Sequence, residues 1–328
     1  MKLGELKLAN RYILAPMQRV TTAPYRRFCR KFSEIGLVSV PMIYTKRIAS
    51  NSKSFEQELY KIEEEKPISI QLIGSDKIAL KTSIDVLESY EYDVIDINAG
   101  CPSRRAINAK EGGYLMNDFD KLKEILKVAV KKSSKPISLK VRTGFAKPMD
   151  ISSFSNIINN SGIDFLIIHA RTVKSNFIKG TIDLDTVKRL KEKLNIPLVG
   201  NGDILDPNTA KNFIDYTQVD ALMIGRESMG NPLIFHQIHE YLIKGKEVPF
   251  RNDREILKEN LNIYERIVDE FLDNIHYPYG NDKFKFNEMK KNAIWLTKGI
   301  ENSTSIRTRL SITRNLKQLK AILKEEDI

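Results

Sequence analysis

The run Ile68-Ser-Ile-Gln-Leu72, the amphipathic segment Ser75–Tyr90 and the run Val94-Ile-Asp-Ile-Asn98 read as strand, helix and strand in succession. Short β-branched apolar runs bounded by polar residues are buried strands, and an apolar period near 3.6 between them is a helix. The alternation continues on both sides. Further strand candidates are Tyr12–Ala15, Leu37–Val40, Ile137–Val141, Phe165–His169, Pro197–Val199 and Ala221–Ile224. Helical patterns follow at Asp118–Lys132, Leu184–Leu194 and Pro207–Tyr216, with Asp118 and Asp206 where N-caps belong. Eight such units predict a (β/α)8 TIM barrel. An open doubly wound sheet is the competing architecture, but no GxGxxG follows the first strand and the unit count is high for it.

The pattern changes after Gly245. Lys246–Asp253 reads as a linker, and helical segments follow around Glu255–Asp273, Phe286–Lys298 and Ser305–Lys324. A chain of 328 residues holds roughly two domains. The expected division is a barrel over residues 1–245 and a smaller all-helical domain over 246–328.

With 41% hydrophobic and 29% charged residues, the composition excludes disordered and collagen-like chains. Cys29 and Cys101 are too few for a disulfide framework and point to a reducing compartment, so the expected location is the cytoplasm. Lys2, Glu5, Lys7 and Arg11 interrupt the apolar residues of the N-terminus, and no apolar run approaches 18 residues; neither secretion nor a membrane span is expected.

Lys and Arg number 53 against 42 acids, a net charge of +11 that favours polyanionic partners. From Lys283 to Lys324 there are eleven basic residues against two acids, Glu288 and Glu301. Phe284, Phe286, Trp295 and the run Arg307-Thr-Arg309 interleave with this charge, which suits phosphate contacts and packing on a folded RNA. A solvated helix face is the competing reading.

In a TIM barrel, chemistry sits at the carboxyl ends of the strands. Here those ends are polar: Gln71, Asn98, Lys140 with Arg142, and His169 with Arg171. Alternate residues of a strand share a face, so Asp96 with Asn98, Lys140 with Arg142 and His169 with Arg171 are expected to converge on one mouth. Cationic and amide groups gathered there suit an anionic planar ligand such as a flavin, with a lysine stabilising negative charge on the reduced ring. Val199-Gly-Asn-Gly-Asp-Ile204 and Met223-Ile-Gly-Arg226 follow the seventh and eighth strands. Glycine admits close approach of backbone amides and Arg226 pairs bidentately, so phosphate binding is expected there.

Cys101 lies in Asn98-Ala-Gly-Cys-Pro-Ser103, just past the fourth strand. An isolated cysteine is commonly a small buried hydrophobe, but a thiol is ordinarily protonated at neutral pH, and at a barrel mouth it suits a general acid rather than a nucleophile. Cys29, inside the helical pattern Tyr25–Phe32, reads as structural. The histidines and cysteines form no zinc-ligand spacing, and neither a hydrolase triad signature nor a P-loop is present. No metal is expected.

In order along the chain, Leu14-Ala-Pro-Met17, Val20-Thr21, Pro24-Tyr-Arg26, Gln71-Leu-Ile-Gly74, Asp96-Ile-Asn-Ala-Gly-Cys-Pro102, Gly112-Gly113, Leu139-Lys-Val-Arg142, His169-Ala-Arg-Thr172, Gly200-Asn-Gly-Asp203 and Met223-Ile-Gly-Arg226 resemble the tRNA-dihydrouridine synthase family over nearly the whole chain. The resemblance implies FMN as cofactor. Ala15, Pro16 and Met17 would line the ring edge, Gln71, Lys140 and His169 would contact the flavin, and Asn201, Gly202, Asp203, Gly225 and Arg226 would hold its ribityl and phosphate groups. It implies reduction of a uracil double bond in tRNA, with NADPH (or NADH) reducing the flavin and Cys101 donating the proton. Asn98, Arg142 and Arg171 are the expected contacts to uracil or nearby phosphate. The uracil must leave its stack to enter such a mouth, and the basic tail would grip the RNA.

Three positions depart from the family pattern. Its usual small residue and glycine after the first-strand methionine are Gln18-Arg19 here, and the acid that commonly follows Val-Thr is Thr22. Two other functions compete: reduction of a free pyrimidine, against which the basic helical appendage argues, and a non-catalytic RNA-binding barrel, against which Cys101, Lys140 and His169 argue.

Overall fold

A hairpin of β1 (Lys2–Leu3) and β2 (Leu6–Lys7) precedes eight parallel strands in the computed structural model, which describes residues 1–51, 56–277 and 280–324, the last without its side chain. The strands are β3 (Tyr12–Leu14), β4 (Val38–Tyr44), β5 (Ile68–Ile73), β6 (Val94–Asn98), β7 (Ile137–Arg142), β8 (Phe165–His169), β9 (Leu198–Asn201) and β10 (Ala221–Ile224). They pair in the order β3-β10-β9-β8-β7-β6-β5-β4. Leu14 N donates to the Leu37 carbonyl at 2.9 Å and Ile13 bridges Leu37, which closes the ends of the sheet on each other. The fold is a TIM barrel.

The connections carry α1 (Ala23–Phe32), α2 (Thr45–Ser50), α3 (Glu56–Leu59), α4 (Lys77–Glu88), α5 (Arg104–Asn108), α6 (Phe119–Lys132), α7 (Ile151–Asn159), α8 (Leu184–Lys191) and α9 (Pro207–Thr217). After β10 comes α10 (Ile234–Lys244), and beyond the linker α11 (Arg254–Asn274), α12 (Asn281–Leu296), α13 (Ser303–Ile312) and α14 (Leu316–Lys324). The expected caps form: Asp118 accepts from Lys121 N at 3.0 Å and Asp206 from Thr209 N at 2.7 Å.

Several boundaries differ from the sequence reading; α12, for one, begins at Asn281, five residues before Phe286. Strand β4 runs four residues past Val40, the expected end, through Pro41 and a register shift between Val40 and Ile43. The segment Ser305–Lys324 is two helices: Thr313 turns extended, and the Asn315 side chain accepts from Gln318 N at 2.9 Å at the start of α14.

Packing occurs in two layers. Inside the barrel Ile13, Leu37, Val94, Phe165, Ile167, Val199 and Met223 form a core that Leu3 and Leu8 of the hairpin segment join from one end. Outside, the strands' other faces pack on the helices, and the same cluster runs on into α11 and α12. An aromatic seam joins them: Phe28 meets Tyr264 at 5.2 Å, Tyr60 meets Phe271 at 5.2 Å, and Tyr25 meets Trp295 at 5.8 Å. Phe284 packs at 5.2 Å on Phe271. Phe284 and Trp295, expected to interleave with charge for RNA packing, are therefore engaged with the protein. The linker is tied down as well, with Asn252 Nδ2 donating to the carbonyls of Leu296 and Lys298 at 2.6 Å.

Arg26 and Glu65 form an ion pair that is 1% and 0% exposed. The Arg26 guanidinium also donates to the carbonyls of Thr21 and Tyr60, so one cation ties α1 to the turn after β3 and to the segment before β5. Breaking a buried pair strands a charge and costs about 3–5 kcal/mol. Glu65→Leu is therefore expected to destabilise the fold by that amount in urea melts, and adding Arg26→Met is expected to recover most of it.

Candidate active site

Each of the eight strands sends a residue to one cavity of about 970 Å³ at the carboxyl rim: Ala15 just past β3, then Met42, Gln71, Asn98, Lys140, His169, Asn201 and Met223. Cys101, Arg142, Arg171, Gly202, Asp203, Gly225 and Arg226 line it too, as do Pro16 and Met17. The expected catalytic, cofactor and substrate residues thus face the same space, whereas Asp96, expected to converge there with Asn98, does not line it. The register explains this, because neighbouring parallel strands align Gln71 with Asp96, Asn98 with Lys140, Arg142 with His169, and His169 with Asn201.

A hydrogen-bonded chain lies under the cavity. Asp96, 2% exposed, accepts from Ser138 Oγ at 2.7 Å and from Gln71 Nε2 at 2.6 Å. Gln71 Oε1 accepts from Asn98 Nδ2 at 2.7 Å, and Asn98 Oδ1 accepts from the backbone N–H groups of Gly100 at 3.1 Å and Cys101 at 2.9 Å. The chain fixes both amide orientations and holds the loop that carries Cys101, whose half-buried thiol is 3.4 Å from Ser103 Oγ. Gly113 packs behind this loop: a Cβ there would fall 2.7 Å from the Cys101 carbonyl oxygen.

On the opposite wall, Lys140 Nζ donates to Asn201 Oδ1 at 3.4 Å. Arg142 donates to the carbonyls of Gly100, Thr172 and Asn176. Arg171 is 1% exposed and bidentate on Asp203, whose Oδ1 also faces Arg226 at 3.5 Å. Arg142 and Arg171, expected to contact substrate directly, thus have their guanidinium groups engaged with the protein. The Arg226 side chain is 58% exposed.

The sequence reading missed Phe177. It is 48% exposed, its ring centroid is 5.9 Å from that of His169, and the guanidinium groups of Arg142 and Arg226 lie over it at 5.1 and 4.9 Å. Its loop has no periodicity to mark it. Met42 was missed as well, because it lies past Val40, where the strand was expected to end.

Burial dominates the electrostatics. Burial, with the charge of Arg142, brings the Lys140 ammonium down to about 8, and burial with the same cations holds His169 far below the usual imidazole range, so its ring is neutral. Burial pushes Asp96 up to about 6 against the hydrogen bonds from Gln71 and Ser138. The hydrogen bonds from Arg171 hold Asp203 below the usual carboxylate range. Neighbouring cations in a partly buried pocket repel one another, so an anion entering it relieves that repulsion. Among the described residues no cluster of His, Cys, Asp and Glu is placed to hold a metal, and no helix is long and apolar enough to cross a membrane.

The family model described as "Dihydrouridine synthase (Dus)" matches residues 13–328. The chain belongs to the dihydrouridine synthase family. Among similar proteins, tRNA-dihydrouridine synthase B of Pasteurella multocida is 32% identical over 92% of this chain and 88% of that protein. The same-named protein of Yersinia pestis is 30% identical over 98% of both. A solved structure of a morphinone reductase mutant in complex with tetrahydroNAD superposes with a TM-score of 0.52 at 13% identity, over 73% of this chain and 89% of that one, and shares the barrel architecture.

In this dihydrouridine synthase the turn after β9 depends on its glycine. Gly202 has φ +122°, and a Cβ there would stand 2.9 Å from His169 Cδ2. Gly202→Ala is expected to cost about 1–3 kcal/mol in urea melts and to displace the His169 ring, read as a shift of its imidazole resonances.

Proposed function

We propose that this dihydrouridine synthase reduces uridines in tRNA to 5,6-dihydrouridine, with FMN bound in the cavity, NADPH (or NADH) as reductant and Cys101 as proton donor. The observation that carries this reading is the placement of the Cys101 thiol on the wall of a cationic cavity that every barrel strand helps to build.

The residues present fit an anionic, planar, phosphate-bearing group. The volume is of cofactor size. Gly202 and Asp203 are both in positive-φ backbone beside Gly225, and the exposed Arg226 guanidinium stands next to them. We assign the phosphate and ribityl groups to Asn201, Gly202, Asp203, Gly225 and Arg226. Gln71, Lys140 and His169 are assigned to the ring, and Ala15, Pro16 and Met17 to its edge. Bound and reduced, FMN supplies a hydride to the uracil ring.

The chain's own residues do the rest. Lys140 places a positive charge at the buried end, where negative charge is stabilised most strongly. Neutral His169 offers hydrogen bonding without adding to the cationic repulsion. Cys101 gives its proton to the carbon next to the one that takes the hydride, and the thiolate recovers a proton from solvent. Asn98 holds the Cys101 loop, and with Arg142 and Arg171 it makes up the substrate side. Arg171 acts there by positioning the Asn201–Asp203 turn through its bidentate pair.

We assign residues 1–245 to catalysis and 246–328 to gripping tRNA, and place the reaction in the cytoplasm on the basis of the free thiols. Part of the tail's charge is engaged internally: Lys285 pairs with Glu265 and Asp269, Lys298 with Glu227, and Lys320 with Glu265. Lys290 donates to the Ser311 and Thr313 carbonyls.

The purified protein is expected to show a flavin absorption spectrum and, with NADPH and unmodified tRNA, to form dihydrouridine detectable by nucleoside mass spectrometry. Turnover of free uracil without product in tRNA would overturn the assignment in favour of a small-molecule reductase. Cys101→Ala is expected to keep the flavin and to bind tRNA within a few-fold, while product formation falls by about 10²–10⁴; undiminished product would remove the proton-donor role.

Lys140 also sets a pH dependence. Ligand-free, it loses its proton near pH 8, and a bound anion favours the charged form, so binding above that pH requires proton uptake. FMN affinity, followed by fluorescence quenching, is expected to be level up to about pH 8 and then to fall by at most about tenfold per pH unit. In Lys140→Met the fall should be absent.

A further inference from the structure

We propose that Glu288 and Lys291 of α12 clamp the turn Met17–Thr22 at the lip of the cavity, and that the turn so held presents Arg19 to the phosphate backbone of the entering RNA. The RNA contact rests on the function proposed above.

The turn is tight: the Met17 carbonyl accepts from Val20 N at 3.0 Å and from Thr21 N at 3.1 Å. Met17, Gln18 and Val20 line the cavity, and Arg19 stands between them with φ +61°. Glycine adopts that left-handed backbone freely and arginine does not, so an arginine there must be held by contacts from elsewhere.

Those contacts come from α12. The Lys291 ammonium donates to the Arg19 carbonyl at 2.9 Å. Glu288, 3% exposed, pairs with Lys291, and its other oxygen accepts from the hydroxyls of Thr22 at 3.1 Å and Tyr264 at 2.5 Å. One buried carboxylate thus holds Thr22 directly and Arg19 through Lys291. Two of the three positions that depart from the family pattern in sequence, Arg19 and Thr22, are ones these two residues meet; the third, Gln18, lines the cavity.

The clamp leaves the two cations in different states. Lys291 is neutralised by Glu288 and directed at a carbonyl. The Arg19 side chain is exposed and, among the described residues, has no hydrogen-bond or ion-pair partner. A strained backbone carrying an unpaired guanidinium beside residues that line the cavity is placed to meet a phosphate at the moment a nucleotide enters.

The test is a double-mutant cycle on the full-length holoprotein with Arg19→Gly, Lys291→Met and both, reading the melting temperature and tRNA affinity against salt concentration. Arg19→Gly is expected to melt no lower than the wild type, to bind tRNA several-fold more weakly, and to reduce the slope of log affinity against log salt by about one. Lys291→Met is expected to lower the melting temperature and the affinity, with a loss in melting temperature smaller by about 2 °C or more when glycine is at position 19.

Equal losses in the two backgrounds would overturn the clamp, because the lysine would then do nothing for the left-handed turn. An unchanged salt slope in Arg19→Gly would overturn the phosphate contact. Absence of tRNA binding by the wild type would remove the RNA function and the Arg19 contact together, and the melting temperatures would still decide the clamp.

Discussion

Strand β3 pairs with β10 on one side and meets β4 on the other, and this closure organises the rest of the molecule. In a closed parallel sheet every strand ends at the same rim, so side chains separated by some two hundred positions in the chain become neighbours. The hairpin segment packs Leu3 and Leu8 into the opposite end of the barrel. The cavity lies at the other rim, among the polar strand ends.

Beneath that rim a carboxylate has been taken out of water. Asp96 is tolerated because Ser138 and Gln71 both donate to it, and the order so imposed passes through Gln71 and Asn98 to the backbone of Cys101. Across the cavity the balance is reversed. Burial, with the charge of Arg142, lowers the proton affinity of Lys140, and burial with the charges of Lys140, Arg142, Arg171 and Arg226 keeps His169 neutral. Cations gathered in this way repel one another, and an anion among them lowers that repulsion.

The helices beyond the linker belong to the mouth as much as to the tail. From α12, Lys291 reaches the turn after β3, and Lys298 pairs with Glu227 in the loop after β10. Trp295 packs edge-on to Tyr25, which hydrogen-bonds Ser228, which in turn donates to the Gly225 carbonyl. These helices therefore brace both loops that border the cavity.

The eight strands and the polar residues at their ends were legible in the sequence, because strand alternation and apolar runs are local signals that survive without knowledge of partners. Two kinds of feature were not. The extension of β4 through Pro41 depends on a register shift against β5, and the roles of Phe177 and Met42 depend on what folds over them. The basic count of the tail was correct as arithmetic, but ion pairs to α11 and to the loop after β10 decide which charges remain for RNA, and Phe284 and Trp295 were claimed by an aromatic seam. By itself the sequence determined the barrel, its cationic mouth and the position of the thiol, since each follows from the order of residues along single strands. Only the tertiary structure decided that Arg142 and Arg171 are tied down, that Asp96 supports the Cys101 loop, and that Glu288 and Lys291 hold Arg19, because hydrogen bonds between distant segments form only once the chain has closed on itself.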